Sequence, residues 1–214
     1  MHFEKIYDIS IALGKESVDF PGDPSYSLEP VRSVARGDPY TIHKLTLSTH
    51  SGTHLDLPAH FIPRERDQTI EQFSVKDFIF PTQVLEVPSE RDAIVSLLES
   101  IRINPGTALL FKTGNSRTGI ATKGVITETA VTLSIKAAEI CAKKRVSLVG
   151  WDYATIEFSP DETYPVHWAL LKNHILILEG ITLAHVPAGN YTLFCLPLKI
   201  TGAEASPTRA ILVQ

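Results

Sequence analysis

One short segment of the chain combines an unusual number of metal-binding side chains. From His50 to Phe61 the sequence is His-Ser-Gly-Thr-His-Leu-Asp-Leu-Pro-Ala-His-Phe, which places three imidazoles and one carboxylate within eleven residues, at His50, His54, Asp56 and His60. Imidazole and carboxylate groups suit Zn²⁺, Mn²⁺ or Fe²⁺. Burying them together is costly unless each has a partner, so the segment predicts a metal site.

The glycine and the proline of this segment restrict its geometry. His50 and His54 are four residues apart, as in a helical metal motif, but Gly52 and Pro58 both disfavour a helix. In an extended chain alternate side chains share a face, so the four metal-binding residues, all at even-numbered positions, would lie on one side. We therefore expect an extended segment, with a bend or bulge at the glycine, whose four side chains converge.

A further candidate carboxylate lies downstream. Glu179 ends an apolar run that begins at His174 and has the composition of a strand buried on both faces. A buried carboxylate needs a partner, and either a metal ion or a Lys or Arg side chain would serve. His167 lies just before this run, but a lone histidine is more often a packing or capping residue than a ligand. From the residues alone, these alternatives stay open.

Short apolar and β-branched runs predict a sheet as the scaffold for these side chains. The predicted strands span residues 42–49, 82–87, 107–113, 146–150, 174–179, 191–196 and 209–213. Helices are predicted over residues 133–144 and over residues 165–172. A third helix is predicted behind a capping pattern at residues 89–92, because Ile94, Leu97, Leu98 and Ile101 have helical spacing. We expect one mixed α/β domain over residues 1–214, sheet-rich with a few helices.

Composition and charge argue against several classes of function. Hydrophobic residues make up 43% of the 214 residues and aromatic residues 8%, as in ordinary globular proteins. The net charge of −4 gives no basic surface for nucleic acid, and the basic run at residues 143–145 is expected at a solvated helix end. The first residues lack the pattern of a signal peptide, and no apolar run approaches the ~20 residues that span a bilayer. Cys141 and Cys195 cannot form a disulfide framework, which indicates a reducing compartment. Together these features lead us to expect a cytoplasmic protein without membrane or nucleic-acid partners.

The segment from His50 to Phe61 resembles the signature His-x-Gly-Thr-His-x-Asp-x-Pro-x-His-Phe of the cyclase-like metal-dependent hydrolases, and every fixed position matches. This family includes bacterial kynurenine formamidases and isatin hydrolases. Further matches lie at residues 7–10, 20–24, 179–180 and 206–210, so the resemblance spans nearly the whole chain. It implies a β/β/α swivelling fold and a homodimer or higher homo-oligomer.

The resemblance also assigns roles to the candidate residues. It makes metal ligands of five side chains: His50, His54, Asp56, His167 and Glu179. The first three would hold one metal ion, with Asp56 able to bridge to a second, and His60 would be the acid–base residue. The cofactor would be Zn²⁺, one or two ions per subunit, or Mn²⁺, which would activate a water molecule for amide hydrolysis.

The implied activity is hydrolysis of a carbon–nitrogen amide bond in a small aryl formamide, such as the conversion of N-formylkynurenine to kynurenine and formate. Two departures leave the substrate open: Phe20 stands where the formamidases carry Trp, and Glu204 where they tend to carry Asp. Phe20 keeps an aromatic surface for an aryl substrate but lacks the indole N–H donor. A lactam such as isatin is the alternative substrate. A metal- or ligand-binding module without turnover is the alternative from another functional class.

Overall fold

The scaffold is a sheet of short strands flanked by helices. The computed structural model describes residues 4–63, 68–87 and 91–214. Within these residues the strands β1 to β10 are Ile6–Asp8, Ser27–Arg32, Ile42–Thr46, His54–Asp56, Ile79–Glu86, Ala108–Lys112, Leu148–Trp151, Leu176–Glu179, Gly189–Pro197 and Ala205–Val213. The helices α1 to α4 are Arg91–Ser100, Gly114–Arg117, Ile135–Lys143 and Pro165–Leu171. The predicted sheet-rich α/β class is confirmed.

Seven of these strands close into a ring. In the order β4, β8, β7, β6, β5, β9, β10 each strand is hydrogen-bonded to the next, and β10 returns to β4 through its first residues. The pairs β5–β6, β6–β7 and β7–β8 are parallel, and the other pairs of the ring are antiparallel. β1 pairs with the last residues of β10, and β2 and β3 form a separate two-stranded ribbon. Closure removes the exposed edges that an open sheet would have.

The strands β6, β7 and β8 are buried on both faces, so their side chains divide between two cores. On β6, Leu110 packs with residues of β4, β8, β9 and β10 inside the ring. Its neighbours Leu109 and Phe111 pack on the other face with residues of α1, α3 and α4. Alternate side chains of one strand therefore stabilise both the inside of the ring and its contact with the helices, as the apolar composition of these strands predicts.

Most of the predicted elements are present, with shifted ends. Helix α3 begins at Ile135 because the side chain of Ser134 accepts the backbone N–H of Ala137, and it ends at Lys143 in the basic run. Helix α1 confirms the helical spacing of its apolar residues, but residues 89 and 90 of the expected capping pattern lie outside the described residues. The elements that the sequence did not predict as strands or helices are β1, β2, β4 and α2. They have three to six residues, too few for a periodic pattern to stand out.

The two cysteines are buried free thiols, as expected for a chain without a disulfide framework. Cys141 packs on the helical side of the sheet and Cys195 inside the ring. Burial raises the pKa of the Cys141 thiol to about 12, so this side chain is not a reactive thiolate. None of the helices in the described residues is long and apolar enough to cross a membrane.

A close contact between two glycines holds the predicted metal-binding segment against the sheet. Gly180 follows β8 with a φ of 65°, and a Cβ atom there would lie 2.2 Å from the carbonyl oxygen of Gly52. Only glycine accommodates both the left-handed backbone and this approach. The hydroxyl of Thr53 also donates a hydrogen bond to the carbonyl of Gly180. With the strands held in this way, the antiparallel pairing of β4 with β8 places His54 opposite Glu179.

Candidate metal centre

Six residues singled out from the sequence lie together at one end of the β4–β8 pair: His50, His54, Asp56, His60, His167 and Glu179. The chain between residues 50 and 60 reaches this arrangement by turns. Only His54–Asp56 is a strand, a φ of 66° at Gly52 turns the chain before it, and a 3-10 turn at Pro58–His60 follows it. The expected bend at Gly52 is present, but the end of the segment is not extended as predicted, because Pro58 starts a 3-10 turn that includes His60. The four side chains nevertheless converge.

His54 is oriented by the backbone of its own segment. Its buried ring places Nδ1 2.9 Å from the carbonyl oxygen of Gly52, a contact in which Nδ1–H donates. In the neutral ring Nε2 then carries the lone pair, and it lies 3.4 Å from Oδ1 of Asp56 and 3.4 Å from Oε2 of Glu179. Nε2 is buried and has no hydrogen-bond partner. It is therefore available to a metal ion.

Asp56 is the central carboxylate of the cluster. It is fully buried, and neither of its oxygen atoms has a hydrogen-bond partner. Nδ1 of His50 lies 2.9 Å from Oδ1, so the two groups form an ion pair when the imidazole is protonated, but the contact is not aligned as a hydrogen bond. Glu179 is also buried, and its Oε1 accepts the backbone N–H of Ile156 at 2.6 Å. Among the described residues its ion-pair partners are histidines, and no Lys or Arg pairs with it.

Protons on the imidazoles balance the buried carboxylates in the metal-free chain. Burial alone would lower the pKa of His50, but the neighbouring Asp56 carboxylate raises it to about 9. Burial also opposes the charge on His167, whose pKa the carboxylates of Glu157, Glu179 and Asp56 raise to about 10. Burial alone would raise the pKa of Glu179, yet two neighbouring histidines lower it to about 2. Protons and metal ions therefore compete for the same ring nitrogens, and metal binding releases protons.

His167 is held by a carboxylate that no local sequence pattern marks. Glu157 is buried, and its Oε1 lies 2.7 Å from Nδ1 of His167 and accepts the backbone N–H of the same residue at 2.8 Å. Nε2 of His167 lies 3.4 Å from Oε1 of Glu179 and 4.0 Å from Oδ2 of Asp56. The histidine that was ambiguous in the sequence therefore has its Nε2 at the cluster and its Nδ1 on a buried carboxylate.

His50 and His60 lie on the less buried side of the cluster, with ring centroids 4.1 Å apart. Nε2 of His50 lies 3.6 Å from Oε1 of Glu204, which accepts the hydroxyl of Thr49 at 2.7 Å. The unusual Glu204 is thus a neighbour of the cluster. Burial lowers the pKa of His60 to about 4, so in the metal-free chain its ring is neutral near neutral pH.

Two groups of candidate ligand atoms share Asp56. In the described part of the chain, ligand atoms of His54, Asp56 and Glu179 lie within 4.8 Å of one another, and so do those of His50, Asp56 and His60. Three buried atoms of these groups, Nε2 of His54 and both oxygens of Asp56, have no hydrogen-bond partner. Nitrogen and carboxylate oxygen are ligands that suit Zn²⁺ and Mn²⁺. The residues present therefore fit one or two divalent cations.

A cavity of about 220 Å³ opens onto this cluster. Its polar lining includes His50, His54, His60, His167 and Glu179. Much of the remaining wall is apolar and includes Val18, Phe20, Phe61, Ile120, Val125 and Ile126. Phe20, the residue expected from the sequence to contact a substrate, therefore lies in the same cavity as the candidate ligands.

Comparison with known proteins shows where the chain belongs. Residues 7–158 match the model of the cyclase family, which is described as a putative cyclase. The chain belongs to the cyclase family. The kynurenine formamidase of Polaromonas naphthalenivorans is 34% identical to it over 213 residues, which cover 97% of this chain and 90% of the relative. The resemblance inferred from the sequence is confirmed.

Two solved structures are similar to this cyclase-family chain over nearly its full length. The first, a "predicted metal-dependent hydrolase" from Bacillus stearothermophilus, has a TM-score of 0.77 and 26% identity, and 98% of each chain is covered. The second, isatin hydrolase A from Labrenzia aggregata, has a TM-score of 0.82 and 20% identity, with 98% of this chain and 93% of the other covered. At that identity the second comparison shows a shared fold.

We expect Zn²⁺ or Mn²⁺ to stabilise the chelator-treated protein through Asp56. An ion at 100 times its dissociation constant adds about 2.7 kcal/mol to the free energy of unfolding if it binds only the folded state. Thermal unfolding with and without the ion measures this gain as a rise of the midpoint. Asp56→Asn should lose most of the rise, because the amide is uncharged and offers one oxygen.

Asp152→Asn is the matched control for this prediction. Asp152 is as buried as Asp56, but Thr113 and Ser116 donate hydrogen bonds to its carboxylate. Its replacement should lower the basal midpoint and leave the metal-induced rise in place. Equal metal-induced rises in the two variants would contradict a metal site at Asp56.

Proposed function

We propose that this cyclase-family chain is a metal-dependent hydrolase that cleaves the carbon–nitrogen bond of a small aryl formamide, such as N-formylkynurenine. Water is the second substrate, and the products are the free amine and formate. The observation that carries the proposal is the buried carboxylate of Asp56, which lacks a hydrogen-bond donor and is shared by two groups of ligand atoms beside a largely apolar cavity. The formamidase relative at 34% identity supports the choice of substrate class.

The proposed metal ligands are His50, His54, Asp56, His167 and Glu179. The proposed ion is Zn²⁺, one or two per subunit, or Mn²⁺. When bound, such a cation polarises an amide carbonyl and lowers the pKa of water, and both effects favour hydrolysis. Asp56 can serve two ions because neither of its oxygens is engaged by a hydrogen-bond donor. A purely structural zinc site is a poorer explanation, since such sites are usually closed and rich in cysteine.

His60 is the proposed acid–base residue. It lines the cavity next to the ligand groups, and burial keeps its ring neutral in the metal-free chain. A ring nitrogen of His60 accepts a proton from the attacking water and then delivers it to the leaving nitrogen. This transfer balances the reaction, because the carbon–oxygen bond forms as the carbon–nitrogen bond breaks and the amine leaves uncharged.

The apolar wall of the cavity supports an aryl substrate. Phe20 and Phe61 present aromatic surfaces there, and aromatic rings pack favourably against one another in offset or edge-to-face arrangements. The catalytic cluster lies in the same cavity, so a substrate whose ring packs on the apolar wall can place its amide at the polar part. The aryl group thus serves to orient the bond that is cleaved.

A cyclic amide such as isatin is the alternative substrate, since opening a lactam breaks the same type of bond. The isatin hydrolase structure, at 20% identity, shows that this chain has the same fold, but it does not support isatin as the substrate. A module that binds metal without turnover is the alternative from another class. Bound metal without hydrolysis of any amide would be its sign.

We also propose that residues 1–214 act as one domain and that the subunits self-associate. The β2–β3 ribbon exposes apolar side chains at Leu28, Val31 and Leu45. An isolated two-stranded ribbon is marginally stable in water, so burial of these side chains against a second subunit would stabilise it. A cytoplasmic location and the lack of nucleic-acid partners stay predictions from composition.

Phe20→Ala should weaken the hydrolysis of aryl formamides selectively. Loss of one aromatic contact costs about 0.5–1.5 kcal/mol, so kcat/KM for formanilide should fall about 2- to 12-fold. Hydrolysis of N-methylformamide, which has no ring, should change little. Phe20→Trp, which restores the residue that the formamidases carry, should retain the activity on formanilide. Equal losses on the two substrates in Phe20→Ala would show that Phe20 does not contact the aryl group.

His60→Ala should reduce turnover before it reduces metal content. Removing a general acid–base group typically costs about 10²- to 10⁴-fold in rate. Mass spectrometry gives the metal content of the same sample on which kcat is measured. Asp56→Ala is the comparison, because it should lose metal and activity together.

The opposite pattern in His60→Ala would assign the residue differently. Ligand atoms of His60, His50 and Asp56 lie within 4.8 Å of one another, so a ligand role is geometrically open. Loss of metal with normal turnover per remaining ion would make His60 a ligand.

A further inference from the structure

Helix α4 begins without a capping side chain next to it. Its N-cap residue is Tyr164, whose side chain accepts no hydrogen bond from the helix, and Pro165 at the first position has no N–H. The first backbone donors are therefore those of Val166 and His167. Glu157 accepts both, with Oε2 3.1 Å from the nitrogen of Val166 and Oε1 2.8 Å from that of His167. A carboxylate at this end of a helix also interacts favourably with the helix dipole.

The same carboxylate contacts the imidazole of His167. Oε1 of Glu157 lies 2.7 Å from Nδ1 of the ring, and a carboxylate at this distance favours the tautomer with hydrogen on Nδ1. The ring and the backbone of one residue are thus fixed by one oxygen atom. The lone pair of the neutral ring is left on Nε2, which lies 3.4 Å from Glu179 and 4.0 Å from Asp56.

We infer that Glu157 is a positioning residue for the metal centre, which fixes the ring orientation and tautomer of His167 so that Nε2 faces the ion. The inference rests on the proposed metal-dependent function. A carboxylate behind a ligating histidine also makes the imidazole a stronger ligand. His54 is held in the same manner by a neutral acceptor, the carbonyl oxygen of Gly52 at 2.9 Å.

A helix cap alone would not require this arrangement. A small polar residue beside the helix is sufficient, as Ser134 shows at the start of α3. Glu157 instead reaches α4 from nine and ten residues away and is buried. The residue before it, Ile156, donates its backbone N–H to Oε1 of Glu179 at 2.6 Å. The consecutive residues 156 and 157 therefore hold both His167 and Glu179, two of the proposed metal ligands.

The test compares metal affinity with metal-free stability in three variants. The Zn²⁺ dissociation constant is measured by competition with a chromogenic chelator, and the thermal midpoint is measured on the chelator-treated protein. Glu157→Ala should weaken Zn²⁺ binding about 10- to 100-fold and also lower the midpoint. Glu157→Gln, which retains an oxygen acceptor without the charge, should recover part of the affinity. Ser134→Ala, which removes the cap of a different helix, α3, should lower the midpoint and leave the dissociation constant unchanged.

The outcomes distinguish this inference from the function on which it rests. If the parent protein binds Zn²⁺ and Glu157→Ala binds it equally tightly, Glu157 only caps the helix and the inference is overturned. If the parent protein takes up no Zn²⁺ or Mn²⁺, the proposed function fails and the inference fails with it. Should Glu157→Ala not fold, the affinity of Glu157→Gln decides, and a dissociation constant equal to that of the parent protein would overturn the inference.

Discussion

The structure depends on a buried carboxylate that has no hydrogen-bond donor. Asp56 lies on β4, between β8 on one side and β10 on the other, and neither of its buried oxygens has a hydrogen-bond partner. Burial of an unpaired carboxylate costs several kcal/mol, so it persists only where positive charge is close. The surrounding imidazoles supply that charge when protonated, and a divalent cation supplies it more fully. This need for a cation explains why polar side chains gather at one end of an otherwise apolar ring.

The ring and its connections bring these groups together from distant parts of the chain. The β4–β8 pairing sets His54 beside Glu179, and the approach of Gly180 to Gly52 holds the turn before β4 in place. In the segment after β7, Ile156 then holds Glu179 and the next residue, Glu157, holds His167. The β4–β8 pairing and the Gly180–Gly52 contact join parts of the chain that are far apart in sequence, so the cluster forms only when the ring has closed. The cavity beside it supplies an apolar wall for a substrate.

How much of this the sequence predicts depends on the range of the interactions. The residues from His50 to His60 form a local pattern, and their types and spacing predicted the cluster before the fold was known. The bend expected at Gly52 is present, but a 3-10 turn at Pro58–His60 replaces the end of the expected extended segment. The burial of Glu179 followed from its apolar strand, but its partners did not.

Long-range contacts are the part that no local pattern predicts. Glu157 has no distinctive neighbours in sequence. Its role becomes apparent only in the fold, where the start of α4 lies against the segment that follows β7. The place of Glu204 beside His50 likewise depends on the pairing of β10 with β4. The closure of β10 onto β4 and β9 could not be read from strand composition, since composition indicates a strand and not its partners.

The metal content of the purified protein, measured by mass spectrometry, tests the metal-dependent function most directly. Hydrolysis of formanilide, N-formylkynurenine and isatin is followed on the same sample before and after chelation. A metal-dependent formamidase should contain at least one Zn²⁺ or Mn²⁺ per subunit, and chelation should abolish formamide hydrolysis that the same ion restores. Hydrolysis of isatin alone would move the substrate to the lactams and keep the metal centre. If the protein contains no metal even after reconstitution, or hydrolyses formamides equally well after chelation, it is not a metal-dependent formamidase.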